Sequence, residues 1–517
     1  MGDMNQLLDK YKVYFDKIKG ENSFYRLGKL FKTKNKSYIY DTGTGKIFCV
    51  NENVYKILEC LFDTDNIYEV KNLGLSLEEV DLALCEIKST IEEENILLAP
   101  PVTDFTGLQS FDLENQLENN ISQLILEVTQ RCNLRCKYCI YHDGHNAYRS
   151  FSNKDMDFET AKKAIDFTYS KADKEIYISF YGGEPLLKFD LIKKCVEYVK
   201  ELNVSGSKTV NFAMTTNGVL ITKEMATYFN ENKFAITISL DGPEEINDEN
   251  RVFENGTGSF KYALRGIQLL SDAYKDRAKE ALFISMVLSE NNKRIYERIQ
   301  SFFNETEFLK YLTVSVSYAS QGRVSSDYIK PNHKLDNLIL KKTDADPLYK
   351  WSIEKQGFEF NKKSLFSNRF MQENLHIVHR RDLSDKPMEK YYFNGCCVPG
   401  ARRLYVNIDG DFLPCERVGT VPFLGNVEDG FDKEKIKKFY VEEFSKEAVK
   451  FCNDCWAVHL CTNCYVDCFD NNDINISYRH KSCNYSRYII NRSLILYHEI
   501  LENNPESLQP LNDIVLK

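Results

Sequence analysis

The chain has 517 residues, 43% of them hydrophobic and 28% charged, with 67 basic against 76 acidic side chains and a formal charge of −9. At about 150 residues per domain that length predicts roughly three domains, and the apolar content supports a buried core, which excludes a disordered tail. The acidic balance argues against a nucleic-acid or anionic-membrane binder, because such proteins carry a basic surface.

No apolar run reaches the ~18 residues of a membrane span; the longest, Ala281 to Leu288, is broken by Ser285. Met1-Gly2-Asp3-Met4-Asn5-Gln6 lacks the basic-then-apolar order of a signal peptide, and Gln6 occupies the place where a myristoylation motif has Ser or Thr. The expectation is a cytoplasmic protein.

In chain order, residues 20 to 98 read as a small α+β unit. Tyr38-Ile39-Tyr40 and Ile47-Phe48-Cys49-Val50 flank Thr42-Gly43-Thr44-Gly45, a hairpin signal. A helix follows with Val54, Ile57, Leu58 and Leu61 on one face and Asn51 as N-cap. A second opens on the capping box Ser76-Leu77-Glu78-Glu79 and buries Val80, Leu84, Ile87 and Ile91. The pattern predicts a winged-helix-like module. Its run of Lys29, Lys32, Lys34 and Lys36 reads as a solvated edge. Ala99-Pro100-Pro101 opens a polar linker, and residues 1–118 form the first unit.

Residues 119–320 alternate. Apolar runs at Ile121–Val128, Ile176–Phe180, Val210–Met214, Phe234–Ser239, Ala281–Leu288 and Tyr311–Val316 each precede a helix-length segment. Six β-then-α units predict a parallel sheet with helices outside, an open partial (β/α)6 barrel of TIM type. Residues 321–395 read as a connector with some helix, and 396–517 as a cysteine-rich domain.

The chain has 16 cysteines. Cys49, Cys60, Cys85 and Cys195 stand singly in apolar patterns and read as small buried hydrophobes. Cys132, Cys136 and Cys139 form one group; Cys396, Cys397, Cys415, Cys452, Cys455, Cys461, Cys464, Cys468 and Cys483 form another. Grouped cysteines in a long chain without an export signal point to metal.

The first group follows the first barrel strand. Three thiolates on a loop can wrap one face of a cubane cluster and leave one iron open. A zinc site borrowing His142 or His145 is the alternative that the triplet alone leaves standing. Tyr181-Gly182-Gly183-Glu184-Pro185, Thr215-Thr216-Asn217-Gly218 and Ser239-Leu240-Asp241-Gly242-Pro243 follow the next three strands, at the C-terminal ends where α/β barrels place chemistry. The glycines let backbone approach a ligand, and Glu184 can receive an ammonium group.

The cysteine triplet with Tyr138 before its last member, followed in order by the GGEP, TTNG and SLDGP motifs, resembles the radical S-adenosylmethionine (SAM) superfamily over residues 121 to about 320. The resemblance implies a [4Fe–4S] cluster on Cys132, Cys136 and Cys139 whose open iron chelates the amino and carboxylate groups of SAM. It places Gly182, Gly183 and Glu184 at the ammonium, Ser239 and Asn217 near the ribose, and Arg251 at the carboxylate. Tyr138 and Asp241 complete that cofactor-binding set. Peptide-modifying members often carry a His after DGP, where this chain has Asn247-Asp248. Strongly reducing clusters, down to about −700 mV, help drive an electron into a sulfonium. The resulting 5′-deoxyadenosyl radical takes hydrogen from unactivated C–H bonds.

A CxxC pair alone would suit zinc, but the second group exceeds one zinc site. Its spacing resembles the SPASM extension found behind some radical SAM barrels. By that resemblance Cys452, Cys455, Cys461 and Cys483 hold an outer auxiliary [4Fe–4S] cluster. Cys397 and Cys415, with Cys464 or Cys468, hold an inner one, and Cys396 competes with Cys397. The front unit resembles the leader-recognition elements of maturases of ribosomally made peptides, which add a leader strand to an open sheet edge. The resemblance implies a precursor peptide and a flavodoxin- or ferredoxin-type electron donor as partners, with no nucleic acid and no membrane. It implies thioether formation between a Cys sulfur and a carbon, as in ranthipeptide and sactipeptide maturases. The alternatives are carbon–carbon cross-linking, a sulfatase-type formylglycine generator, and a cluster-bearing regulator with an idle barrel.

Overall fold

The hairpin at Thr42–Gly45 forms, and a third strand joins it. β1 (Gly28–Lys32), β2 (Ser37–Asp41) and β3 (Ile47–Val50) make an antiparallel sheet in the order β1-β2-β3. In this computed structural model the described residues are 2–20, 23–141, 150–289, 295–319, 326–331, 369–417, 419–465, 468–470 and 473–513. Asn51 caps the helix Glu52–Thr64 by accepting from Val54 N at 2.9 Å. Ser76 and Glu79 close the capping box of Leu77–Glu94. Both predicted apolar stripes are buried.

A helix absent from the sequence reading, Gly2–Lys19, packs Leu8, Tyr11 and Phe15 into the same core. The lysine run is not uniformly solvated: Lys29 is wholly buried, 5.7 Å from the Trp456 ring, while Lys32 pairs with Glu52 at 3.0 Å. Of the single cysteines, Cys60 and Cys195 are buried as expected, but Cys49 and Cys85 are exposed.

All six apolar runs become strands: β4 (Gln123–Thr129), β5 (Glu175–Gly182), β6 (Thr209–Thr216), β7 (Ala235–Ser239), β8 (Leu282–Leu288) and β9 (Thr313–Tyr318). They pair in parallel in that order, with the helices Phe158–Lys171, Phe189–Leu202, Lys223–Glu231, Phe260–Tyr274 and Tyr296–Glu305 in the crossovers. This is the predicted partial barrel.

The sheet does not stop at β4. β10 (Arg403–Val406) pairs with β4 in parallel, from Arg403↔Gln123 to Val406↔Leu126. β11 (Asp411–Leu413), β12 (Gly425–Asn426) and β13 (Gly430–Phe431) extend it antiparallel to ten strands. An open parallel edge is thereby covered. Gly410 turns the chain between β10 and β11 at φ +89, a left-handed conformation that suits glycine. Of the connector, residues 321–325 and 332–368 lie outside the described set, and Arg369–His379 is helical.

The front sheet rests on the cysteine-rich region. Tyr38 Oη donates to Glu502 Oε1 at 2.8 Å, and Thr42 Oγ1 donates to the Trp456 carbonyl at 3.1 Å. Phe31 and Tyr38 pack against His498, with ring centroids 5.1 and 4.8 Å away. The buried Arg26 bonds to Tyr391 Oη. No described helix is long and apolar enough to cross a membrane.

Candidate functional site

The cysteine triplet leaves β4 on a loop gripped from both sides. On one side the end of β5 lies against it, with Gly183 N donating to Thr129 O at 2.9 Å and Glu184 N to Arg131 O at 2.8 Å. A side chain on Gly182 would collide with the Thr129 carbonyl, and one on Gly183 with the Arg131 carbonyl. The glycines therefore admit the backbone that leads into Cys132, where the sequence suggested close approach to a ligand. On the other side Arg135 N bonds to Val252 O at 2.7 Å and Lys137 N to Asn250 O at 3.0 Å. Asp155 anchors the base of the loop, taking Thr129 Oγ1 at 2.6 Å and Arg131 Nε and Nη2 at 2.9 and 2.6 Å.

Burial pushes the thiols up, Cys132 to about 12 and Cys136 to about 11, with Cys139 raised for the same reason. Ligation to iron deprotonates such thiols. Among the described residues no three His, Cys, Asp or Glu side chains converge as they would on a single metal ion. A cubane asks less of them, since each thiolate binds a different iron. His142 and His145, the proposed fourth zinc ligands, lie outside the described residues.

Asn217 follows β6 and meets the triplet directly: its Nδ2 lies 2.8 Å from Asn133 Oδ1 and 3.9 Å from Cys132 Sγ. Ser239, half-buried, ends β7. Asp241 is wholly buried and its carboxylate is engaged internally. Oδ1 accepts from Val287 N at 2.9 Å, and Oδ2 meets Arg251 Nε at 3.1 Å and the Tyr138 hydroxyl. The Arg251 guanidinium sits 5.4 Å from the Tyr138 ring centre. Asp241 thus ties Tyr138, inside the triplet, to Arg251.

Glu184 is also wholly buried, and three donors occupy its carboxylate: Thr216 Oγ1 at 2.7 Å, Asn217 N at 2.8 Å and Leu186 N at 3.0 Å. It joins the ends of β5 and β6. Burial lifts its carboxyl from 4.5 to about 6 against those hydrogen bonds. The raised value means the group favours the fold below pH 4.5, and that contribution is lost as pH rises through 6. In Glu184→Gln an amide nitrogen faces donors, so the variant should lose about 1–3 kcal/mol of stability. Denaturant titrations should also show a flatter pH dependence between 4.5 and 6 than for the unsubstituted protein.

Glu127 was missed by sequence reasoning. It is wholly buried in β4, accepting from Tyr141 Oη at 2.7 Å and from Ile408 N at 3.3 Å, and so joins the loop to the turn after β10. A lone carboxylate inside the apolar run Leu124-Ile125-Leu126-Glu127-Val128 was the available signal.

Five of the nine cysteines of the second group, Cys396, Cys452, Cys455, Cys461 and Cys483, line one cavity together with Arg479. Burial pushes the Cys452 thiol well up; Arg479 opposes this, and the thiols of Cys455, Cys483 and Cys461 add to the rise. Those four are the outer set read from the sequence. Burial likewise raises Cys396, again opposed by Arg479 and reinforced by Cys464 and Cys468. Cys415 is raised to about 11, mainly by burial, and Cys464 is among its neighbours. Cys397 is exposed, so of the adjacent pair Cys396 is the one turned toward the other thiols. Cys468, fully buried, donates toward the Cys464 carbonyl at 3.8 Å.

The barrel is parallel and partial, with a three-thiol loop after its first strand that is braced by the ends of the next three. The model of the Radical SAM superfamily matches residues 126–302. An uncharacterized protein of Methanocaldococcus jannaschii, MJ0907, is 34% identical over 330 residues, 63% of this chain and 97% of that one. A cysteine-type anaerobic sulfatase-maturating enzyme of Clostridium perfringens is 26% identical over 369 residues, 69% of this chain and 93% of that one. Among solved structures, anSMEcpe with bound AdoMet and Kp18Cys peptide is 24% identical, with a TM-score of 0.50 over 74% of this chain and 99% of that one. The chain belongs to the radical SAM superfamily. Membership implies SAM and a [4Fe–4S] cluster, and the buried thiols of Cys132, Cys136 and Cys139 fit that cluster by donor type and by the rigidity of their loop.

Proposed function

We propose that this chain is a peptide maturase that forms thioether links, Cys sulfur to carbon, in a ribosomally made Cys-rich precursor. The observation that carries this reading is the front sheet. Among the described residues β3 has a partner only on its β2 side, and the sheet sits directly on the segment Cys455–Cys461. An open edge is the surface to which an extended leader adds as a strand. Holding the leader there raises the local concentration of the core peptide at the barrel. The peptide in the solved relative supports a polypeptide substrate.

In this reading Cys132, Cys136 and Cys139 ligate the [4Fe–4S] cluster, and Arg251, Asn217, Ser239 and the Gly182–Glu184 segment line the place of SAM. When bound, these groups supply a 5′-deoxyadenosyl radical, and two auxiliary [4Fe–4S] clusters on the second cysteine group supply an electron acceptor. The chain's own residues position and shield. Asp241 fixes Arg251 against Tyr138, Glu184 locks the β5 and β6 ends together, and Asp155 fixes the entry to the loop. The auxiliary ligand sets are Cys452, Cys455, Cys461 and Cys483, and Cys396 and Cys415 with Cys464 and Cys468. Cys396 takes the place first given to Cys397 because its thiol faces inward.

Formylglycine generation is the second reading, favoured by the sulfatase-maturating relative. That enzyme aligns over nearly its whole length and still leaves close to a third of this chain outside the match. Anaerobic co-expression with a Cys-rich peptide encoded beside this protein separates the outcomes by mass after thiol alkylation. Loss of two hydrogens per event with one thiol blocked is the expected result. The same loss with every thiol reactive means carbon–carbon bonding. An aldehyde that reacts with hydroxylamine means formylglycine.

A further inference from the structure

Arg479 lies in the first turn of the helix Ser477–Asn503 and is 6% exposed. Its guanidinium is 5.0 Å from the Phe444 ring centre and 5.9 Å from that of Phe451. Nη2 reaches the Asn463 carbonyl at 3.4 Å, whereas Nε and Nη1 are buried and have no hydrogen-bond partner among the described residues. It lines one cavity with Cys396, Cys452 and Cys483, the thiols of Cys468, Cys483, Cys452 and Cys396 act on its charge, and no carboxylate of the described residues pairs with it. A guanidinium cannot shed its charge, and an uncompensated buried charge costs several kcal/mol. Among the described residues, this part of the fold therefore contains a cation with no side-chain carboxylate as its counter-anion.

The four thiols divide between the two proposed ligand sets. Cys452 and Cys483 belong to the outer set, Cys396 and Cys468 to the inner. Arg487, the other buried arginine of this helix, bonds to Ile329 O at 2.9 Å and Asn484 Oδ1 at 2.7 Å and acts on Cys455 and Cys483, both of the outer set. We infer that Arg479 is a countercharge shared by the two auxiliary iron–sulfur clusters and that it holds both of their reduction potentials up. The inference rests on the two-cluster reading above. A fixed positive charge favours the reduced, more negative state of a cluster, and in a low-dielectric interior it acts on every cluster within reach. It also favours the first ligation, because thiolates replace thiols around a charge already in place.

The test uses full-length holoprotein carrying Cys132→Ala, Cys136→Ala and Cys139→Ala, so that the first loop gives no signal. The protein is reconstituted anaerobically with iron and sulfide and titrated by EPR. Arg479→Gln should shift both auxiliary potentials downward by at least about 59 mV, a tenfold change in a one-electron equilibrium, or should lose auxiliary iron. Arg479→Lys, which keeps the charge, should retain iron and most of the potential. A Gln variant with unchanged iron and unchanged potentials overturns the inference. So does a Lys variant that falls as far as the Gln one, because shape and not charge would then be at work. If the parent itself binds no auxiliary iron, the two-cluster reading fails, a result distinct from clusters present at unshifted potentials.

Discussion

Cys136→Ala should abolish the reductive cleavage of SAM, read as 5′-deoxyadenosine formed under dithionite without oxygen. The loss should exceed about a hundredfold, the upper range for changing a group that merely supports a metal ligand. Cys136 sits on a loop whose backbone is held at Arg135 and Lys137 by Val252 and Asn250, so alanine there removes a thiol without freeing the loop. The matched control is Cys195→Ala. Cys195 is fully buried, more so than Cys136, within the helix Phe189–Leu202 and far in sequence from either group. It should cost about 1 kcal/mol in core packing and leave cleavage intact. Cleavage that survives Cys136→Ala would remove the triplet from the cluster site.

Much of this architecture was legible because its signals are local. The six apolar runs, the Asn51 cap and the Ser76–Glu79 box each depend on residues within one turn or one strand, and each formed. The helix Gly2–Lys19 was also legible, since Leu8, Tyr11 and Phe15 recur at helical spacing, but it was not read. The pairing of β10 with β4 had no local signal at all, as it joins Arg403 to Gln123 across most of the chain. The same limit governs the site. The motifs marked the strand ends correctly, but not what each side chain faces. Gly182 and Gly183 accommodate carbonyls of the preceding loop, and Glu184 and Asp241 serve partners on neighbouring strands. A buried polar residue must be paired, and its partner is chosen by topology, which motif spacing does not encode. Cys396 and Cys397 make the point most simply: adjacent in sequence, one faces the other thiols and the other faces solvent.

Cys49→Pro should weaken leader binding at least about tenfold, a change of roughly 1.4 kcal/mol, while leaving peptide-independent SAM cleavage unchanged. The register decides the choice of residue. Asp41 N donates to Lys46 O at 2.9 Å, and the strands pair Tyr40↔Ile47, Ile39↔Phe48, Tyr38↔Cys49 and Ser37↔Val50. Bonded and non-bonded pairs alternate in an antiparallel ladder, so Phe48 and Val50 bond to β2 while Ile47 and Cys49 direct N–H and C=O groups outward. Cys49 is exposed. Proline there removes an outward donor and no ladder bond, so stability should change by less than about 1 kcal/mol. Excising residues 1–100 would be a poorer test. It would remove the Thr42 and Tyr38 contacts to Trp456 and Glu502 and bare a fully buried tryptophan between Cys455 and Cys461. Lost modification would then report a damaged cluster domain as readily as a lost leader. With Cys49→Pro, fluorescence anisotropy of a labelled leader reads binding alone. Unchanged affinity in a folded variant would mean that the leader does not bind along β3. A fall in affinity without a fall in thermal stability would place it there.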